Sequence, residues 1–288
     1  MFDNVEAFHR PGTIGEAIRL LGSSKGARVV AGGTDLVVHG DPSARVLIDI
    51  TRAGLSYIRK RGAACVIGAT TTMAQLEESE AIRGLAGGVL AHAAATCGAI
   101  QIRNVATIGG NIANASPAAD LATPLMALDA AVVVAAGGGR RKLALAEYLA
   151  GARGRSLVKS LLVEVVIPEP ARGPRCGWSF QKLGRTAVDI SLVSAVAGLQ
   201  LDAKGRVKWA RIALGAVAPA ALRASAAEEL LTGRVLDRSA IDAASAEVAG
   251  AVTPISDVRA TAEYRREMSR VLAGRALEEC AARAGWPL

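Results

Sequence analysis

The 288-residue sequence predicts an α+β protein: two successive small α/β units, then a domain in which strands come first and helices later. Three observations carry that reading. A helix-and-strand pattern opens near Thr13; a similar pattern restarts near Cys65; and a Pro/Gly-bearing stretch from Pro168 to Pro174 breaks the chain before a run of strand-like segments. The expected domains are 1–55, 56–174 and 175–288. With 51% hydrophobic and 21% charged residues, the chain has apolar material for a real core and lies outside the composition of disordered proteins.

In the first unit, Thr13-Ile-Gly-Glu16 has the spacing of a capping box and predicts a helix over Ile14 to Leu21. The β-branched runs Arg28-Val-Val-Ala31 and Arg45-Val-Leu-Ile-Asp-Ile50 predict strands, the first ending in a glycine turn. In the second unit, Cys65-Val-Ile-Gly68 predicts a strand, and Thr72-Met-Ala-Gln75 offers a second capping box for a helix over Met73 to Ile82. Ser116-Pro117 reads as the N-cap and first position of a helix reaching about Leu128. Strands follow at Ala131-Val-Val-Val-Ala135 and at Leu161 to Ile167, where Pro168 stops the run. In the third domain, Gly177 to Leu183, Ile190 to Leu201 and Arg206 to Val217 predict an antiparallel meander. Helices are expected over Ser225 to Leu231, Ala240 to Ala251 and Thr261 to Ala284.

Composition excludes several classes of function. Cys65, Cys97, Cys176 and Cys280 lie far apart with no CxxC pair, which argues against a thiolate-held zinc or iron-sulfur centre and for buried free thiols. Met1 to Arg10 carries Asp3 and Glu6 and has no apolar core of a secretory signal, so a reducing cytoplasm is the expected location. Gly84 to Ile102 is free of charge, but its Ala and Gly content is too weakly apolar for a membrane span. His9, His39 and His92 show no ligand spacing.

The net charge of +8 raises nucleic acid as a partner. The excess is local: Arg140, Arg141, Lys142, Arg153, Arg155, Lys159, Arg172, Arg175, Lys182 and Arg185 stand against Glu147, Glu164 and Glu169, leaving +7 in this stretch. Its aromatics are few, Tyr148, Trp178 and Phe180, so a protein-partner face or a solvated face fits better than a nucleic-acid groove.

Two motifs share one design: Ala31-Gly-Gly-Thr-Asp-Leu36 and Thr107-Ile-Gly-Gly-Asn-Ile112. Each places paired glycines at the end of an apolar run, directly before a small polar side chain. Glycine permits positive φ and close approach, so that successive N–H groups converge on an anion. Thr34 and Asn111 would add side-chain donors, and a diphosphate matches two such turns; the plain alternative is two ordinary turns. The chain has neither G-x-G-x-x-G nor G-x-x-x-x-G-K-[ST], so the nicotinamide fingerprint and the P-loop are absent. Between Gly84 and Ala119 the only charged residue is Arg103, amid many amides and hydroxyls, a composition suited to wrapping a ligand or fixing a loop.

These motifs, with Ile67-Gly-Ala-Thr-Thr-Thr72, Gln101-Ile-Arg-Asn104 and Ala115-Ser-Pro-Ala-Ala-Asp120, resemble the FAD-binding medium subunit of the molybdenum hydroxylases, the xanthine dehydrogenase, carbon monoxide dehydrogenase and 4-hydroxybenzoyl-CoA reductase superfamily. The likeness continues in Phe180-Gln-Lys-Leu-Gly-Arg185 with Asp189-Ile190, and in Ser256-Asp-Val-Arg259 with Glu263-Tyr-Arg-Arg266. It implies two FAD-cradling α/β subdomains of the vanillyl-alcohol oxidase and p-cresol methylhydroxylase (PCMH) type, then a C-terminal antiparallel sheet with a helical bundle. It also implies that Val30, Ala31, Gly32, Gly33, Thr34, Asp35 and Leu36, together with Thr107, Ile108, Gly109, Gly110 and Asn111, hold the FAD diphosphate. By the same likeness Asp120 binds a cofactor hydroxyl, Leu162 packs on the cofactor and Lys182 lies near the flavin. Residue chemistry alone would make Asp120 a helix-terminus carboxylate, Leu162 core and Lys182 a solvated lysine.

The resemblance further implies a non-covalent FAD subunit that passes electrons between a partner's [2Fe-2S] clusters and NAD+ or another acceptor. The expected partners are a large molybdopterin subunit and a small [2Fe-2S] subunit, commonly as a dimer of heterotrimers. Two departures narrow the field. Thr34-Asp35 stands where carbon monoxide dehydrogenases are expected to have His-Ser, and the cysteine-rich insertion of 4-hydroxybenzoyl-CoA reductase is missing. The rival readings are a stand-alone flavin oxidase or dehydrogenase, which needs its own acid-base group over the flavin, and a basic nucleic-acid or scaffold module.

Overall fold

The computed structural model describes residues 4–153 and 159–288, which divide into two compact units. The first comprises Met1–Leu76, Ala99–Ala115 and Asp129–Glu169; the second comprises Glu77–Gly98, Ser116–Leu128 and Pro170–Leu288. Arg155 lies outside the described residues.

The first unit holds two sheets. Strands β1 (Ala7–His9), β2 (Ala27–Val30) and β3 (Val46–Asp49) form a parallel sheet in the order β1-β3-β2. The helix Ile14–Ser23 lies between β1 and β2 in sequence, as parallel pairing requires of a connection. Its N-terminus is set by Thr13, whose hydroxyl accepts from Glu16 N–H at 3.2 Å, and it buries Ala17 and Leu21. Strands β4 (Ile58–Arg61), β5 (Ala64–Gly68), β6 (Ala131–Ala136), β7 (Gly139–Ala144) and β8 (Leu161–Ile167) form an antiparallel sheet in the order β4-β5-β8-β6-β7. β8 is central and buried at every residue, which explains its nearly unbroken apolar run.

The second unit is built on β9 (Cys176–Leu183), β10 (Val193–Leu201), β11 (Val207–Gly215) and β12 (Leu222–Arg223), an antiparallel meander. The helices Ser225–Leu231, Arg238–Ala251 and Ala262–Arg283 share its core, in which Leu199, Ile212, Leu214, Leu272 and Leu277 are buried. Thr261 caps the long helix by accepting from Tyr264 N–H.

Three local expectations are corrected. The helix from Met73 ends at Glu78, because the Ser79 hydroxyl accepts from Ile82 N–H and caps a new helix, Glu80–Arg83. The helix expected from Ser116 begins only at Ala122; the preceding segment is a turn entered through Ala115 at φ 50°. The stretch from Gly84 to Ala119, whose single charge is Arg103, contains the helices Val89–Ala95, Ile100–Arg103 and Ile108–Ala113. Of the four cysteines, none of them in a disulfide, only Cys280 is fully buried; the others are half-buried.

Candidate functional site

The first glycine turn leaves β2 and enters the short helix Thr34–His39. Gly33 has a left-handed φ of 70°, which a side chain adopts only at a cost. Hydrogen bonding resumes at Val37, whose N–H donates to Gly33 O at 2.8 Å. The N–H groups of Gly32, Gly33, Thr34, Asp35 and Leu36 have no hydrogen-bond partner among the described residues. That is a run of uncharged donors at the end of a strand, the chemistry that suits phosphate oxygens.

The second turn runs beside it, within the same unit. A Cβ built on Gly32 would fall 2.0 Å from Val105 O, so the two segments touch backbone to backbone and only glycine fits there. Thr72 and Thr107 form an antiparallel bridge, and Met73 N–H donates to Ala106 O at 2.9 Å. The second turn spends its own N–H groups internally: Ile108 on Thr71 O, Gly109 on Ala69 O, Gly110 on Thr107 Oγ1 and Asn111 on Thr107 O. Gly109 is needed for close packing, since a Cβ there would lie 2.6 Å from both Cβ and O of Ala69. Gly110 is exposed, and a Cβ on it would meet only Thr107 Oγ1, at 3.0 Å. Neither Gly109 nor Gly110 has a positive φ. The expectation of two equivalent nests is therefore corrected: unpartnered N–H groups belong to the first turn, while the second is a packed helix start offering the bare backbone of Gly110 and the half-buried Asn111.

Val30 and Ala31 lead into the first turn and are half-buried, and Leu162 lies on β8 of the same unit, paired with Val134 and 5% exposed. Asp120 and Lys182 belong to the second unit and form a buried ion pair, Lys182 Nζ to Asp120 Oδ2 at 3.1 Å. Lys182 also donates to Thr96 O at 2.8 Å, so it is not the solvated lysine that residue chemistry alone suggests. Ser191 Oγ donates to Asp120 Oδ1 at 2.6 Å. Burial pushes the Asp120 carboxyl up from the usual range, against the Lys182 charge and hydrogen bonds from Ser191, Lys182 and Cys97. Ser191 and Cys97 escaped the sequence reading, because a lone hydroxyl or thiol far from Asp120 in sequence gives no signal of contact. His9, His39 and His92 are exposed, and no cluster of metal-ligating side chains occurs among the described residues.

Comparison with known proteins places this geometry in a family. Residues 2–170 match the FAD binding domain in molybdopterin dehydrogenase, and residues 178–280 match the CO dehydrogenase flavoprotein C-terminal domain. The chain is 32% identical to the xanthine dehydrogenase FAD-binding subunit of Escherichia coli O157:H7, over 100% of both chains. It is 34% identical to the carbon monoxide dehydrogenase medium chain of Afipia carboxidovorans, covering 96% of this chain and 97% of that one. Its fold superposes on reconstituted CO dehydrogenase from Oligotropha carboxidovorans with a TM-score of 0.89 at 31% identity, covering 98% of this chain and 100% of that chain. The uncharged donor run fits the diphosphate of FAD, the cofactor that this match assigns. With both of its domains accounted for, the chain belongs to the FAD-binding medium subunits of the molybdenum hydroxylase family, oxidoreductases of the xanthine and carbon monoxide dehydrogenase type.

Proposed function

We propose that this chain is the electron-transfer subunit of a heterotrimeric molybdenum hydroxylase, carrying electrons between a partner's [2Fe-2S] clusters and NAD+ or another acceptor in a reducing cytoplasm. Its partners would be a large molybdopterin subunit and a small [2Fe-2S] subunit, in a dimer of heterotrimers. The observation that carries the reading is the run of five unpartnered N–H groups from Gly32 to Leu36, walled by the backbone of Val105. No helix of the described residues is long and apolar enough to cross a membrane.

When bound, FAD supplies the two-electron and one-electron redox chemistry. The chain supplies position and electrostatics. Gly32 to Leu36 would donate backbone N–H groups, themselves without formal charge, to the diphosphate, and Thr34 and Asn111 would add side-chain donors. Gly110 allows close approach, with Thr107 holding its turn and Ile108 and Gly109 anchoring it in the core. Leu162 offers an apolar wall. Asp120 would accept from a cofactor hydroxyl, and Lys182 would supply positive charge that stabilises the reduced flavin, each kept in place by the other and by Ser191 and Thr96.

The test is the visible spectrum of the purified full-length chain, followed by denaturation and identification of the released chromophore. The expected result is a yellow protein with one extractable FAD per chain. A colourless chain that takes up no added FAD overturns the reading.

A further inference from the structure

The five-stranded sheet of the first unit has a cationic face, none of whose charged residues is among those assigned to FAD. We propose that this face docks an acidic surface on a partner subunit of the dehydrogenase complex, an inference that rests on the subunit reading above.

The register builds the face from distant parts of the chain. Glu164 on β8 pairs with Gly68 on β5 and Val133 on β6, and Val133 pairs in turn with Lys142 on β7. Arg59 on β4 pairs with Val66, two residues before Gly68. Paired residues of antiparallel neighbours share a face, as do residues two apart on one strand. Arg59, Arg61, Glu164, Lys142 and Arg140 therefore stand on the same side of the sheet, while Arg141, paired with Val134, stands on the other. The basic stretch of the sequence is thus divided: part joins this face, Lys182 is buried in the second unit, and Arg59 and Arg61 are recruited from outside it.

Geometry fixes the charges outward. Glu164, 2% exposed, accepts from Tyr57 Oη at 2.8 Å, from Arg59 at 3.2 Å and from Arg61 at 3.0 Å. The Arg59 guanidinium lies 4.3 Å over the Tyr57 ring. Those contacts, and the charges around it, hold the Glu164 carboxyl below its usual range, against its burial. Both arginines nonetheless keep about half of their side chains in solvent, at 54% and 52%. Arg140 and Lys142 are exposed on the edge strand, and the Arg140 charge also acts on Tyr57. Four cations held on one side of a rigid sheet, with one submerged carboxylate among them, make a preorganised positive field that an acidic protein surface complements and that steers its approach. The aromatic on this face cannot serve as a base-stacking platform, because Arg59 covers its ring and Glu164 holds its hydroxyl. A folded acidic partner therefore fits better than a nucleic-acid strand, and the relatives are medium chains and subunits of larger enzymes.

The test uses the tagged full-length chain co-expressed with its partner chains, with molybdenum and iron measured per FAD after purification at low and high salt. Arg140→Glu with Lys142→Glu reverses two exposed charges that are neither hydrogen-bonded nor ion-paired to Glu164. The double variant is expected to keep its FAD and lose molybdenum or iron by about tenfold or more, with the neutral Arg140→Gln/Lys142→Gln pair intermediate. Arg141→Glu, on the opposite side, is expected to retain both metals. Wild-type metal ratios in the double-Glu variant overturn the proposal alone, as does an equal loss in Arg141→Glu. An oligonucleotide affinity that the double variant loses while keeping its partners overturns it in favour of nucleic acid. A wild-type chain with FAD but neither metal overturns the subunit reading and the docking proposal with it.

Discussion

The two glycine turns look alike in sequence and are built for opposite ends. Gly32-Gly33 leaves five N–H groups without a partner, and one of its glycines takes a left-handed φ. Gly109-Gly110 sits in a helix, spends its N–H groups on Ala69 and Thr107, and presses one glycine against Ala69. The first pair donates; the second clears space and anchors. A paired-glycine motif therefore reports that a side chain is unwelcome, while the reason, conformation, packing or approach by a ligand, lies in what surrounds it.

That contrast can be broken by adding one methyl at a time. Gly32→Ala should have the largest effect: its Cβ would meet immobile backbone at 2.0 Å, so stability should fall by about 3 kcal/mol, the upper part of the overpacking range. Urea unfolding of the FAD-free chain measures it, and wild-type stability would end the argument that the turns touch. Gly109→Ala, 2.6 Å from Ala69, should cost about 2 kcal/mol in the same assay. Gly33→Ala meets nothing closer than 3.6 Å but must hold a left-handed φ, at about 1–2 kcal/mol. Its FAD affinity, followed by flavin fluorescence, should drop by more than that stability loss, because the donor run itself is displaced.

Gly110→Ala should separate the roles most cleanly. In a helix, alanine is favoured over glycine by about 0.5–1 kcal/mol, so stability should hold or rise while FAD binding weakens. Unchanged binding would remove Gly110 from the site.

The smallest effect concerns the second unit. Asp120 binds its proton more tightly when folded than its ordinary value of 3.8 implies, so just above that pH it makes stability rise as pH falls. Asp49 and Glu164 are shifted down and act in the opposite sense, losing their contribution as pH falls. Asp120→Asn should therefore steepen the acid-side loss of stability. A slope equal to that of the wild type would mean that Asp120 has its ordinary affinity for a proton.

Much of the fold was legible where one physical signal dominates. The strand Leu161–Ile167 and the helix Ser225–Leu231 have the bounds expected of them, the first because Pro168 cannot continue a ladder. The capping box at Thr72 is real and reciprocal, with Gln75 N–H on Thr72 Oγ1 and Thr72 N–H on Gln75 Oε1. The helices between Gly84 and Ala119 were illegible, because an Ala/Gly segment with almost no charge has no polar face to set a period. Ser116-Pro117 misled because its cap chemistry suits a turn equally well. In the site, the glycines were readable as small residues, whereas the Gly32–Val105 and Asp120–Ser191 contacts join segments about seventy residues apart, which no local pattern records.

The contact between Gly32 and Val105 also orders events in time. A ribosome delivers the donor loop early, yet its wall arrives only with the segment that reaches Gly109, and that segment is pinned in turn by the carbonyls of Ala69 and Thr71. Cofactor insertion thus follows synthesis of the first third of the polypeptide, and nascent fragments truncated before Val105 would be unable to retain flavin.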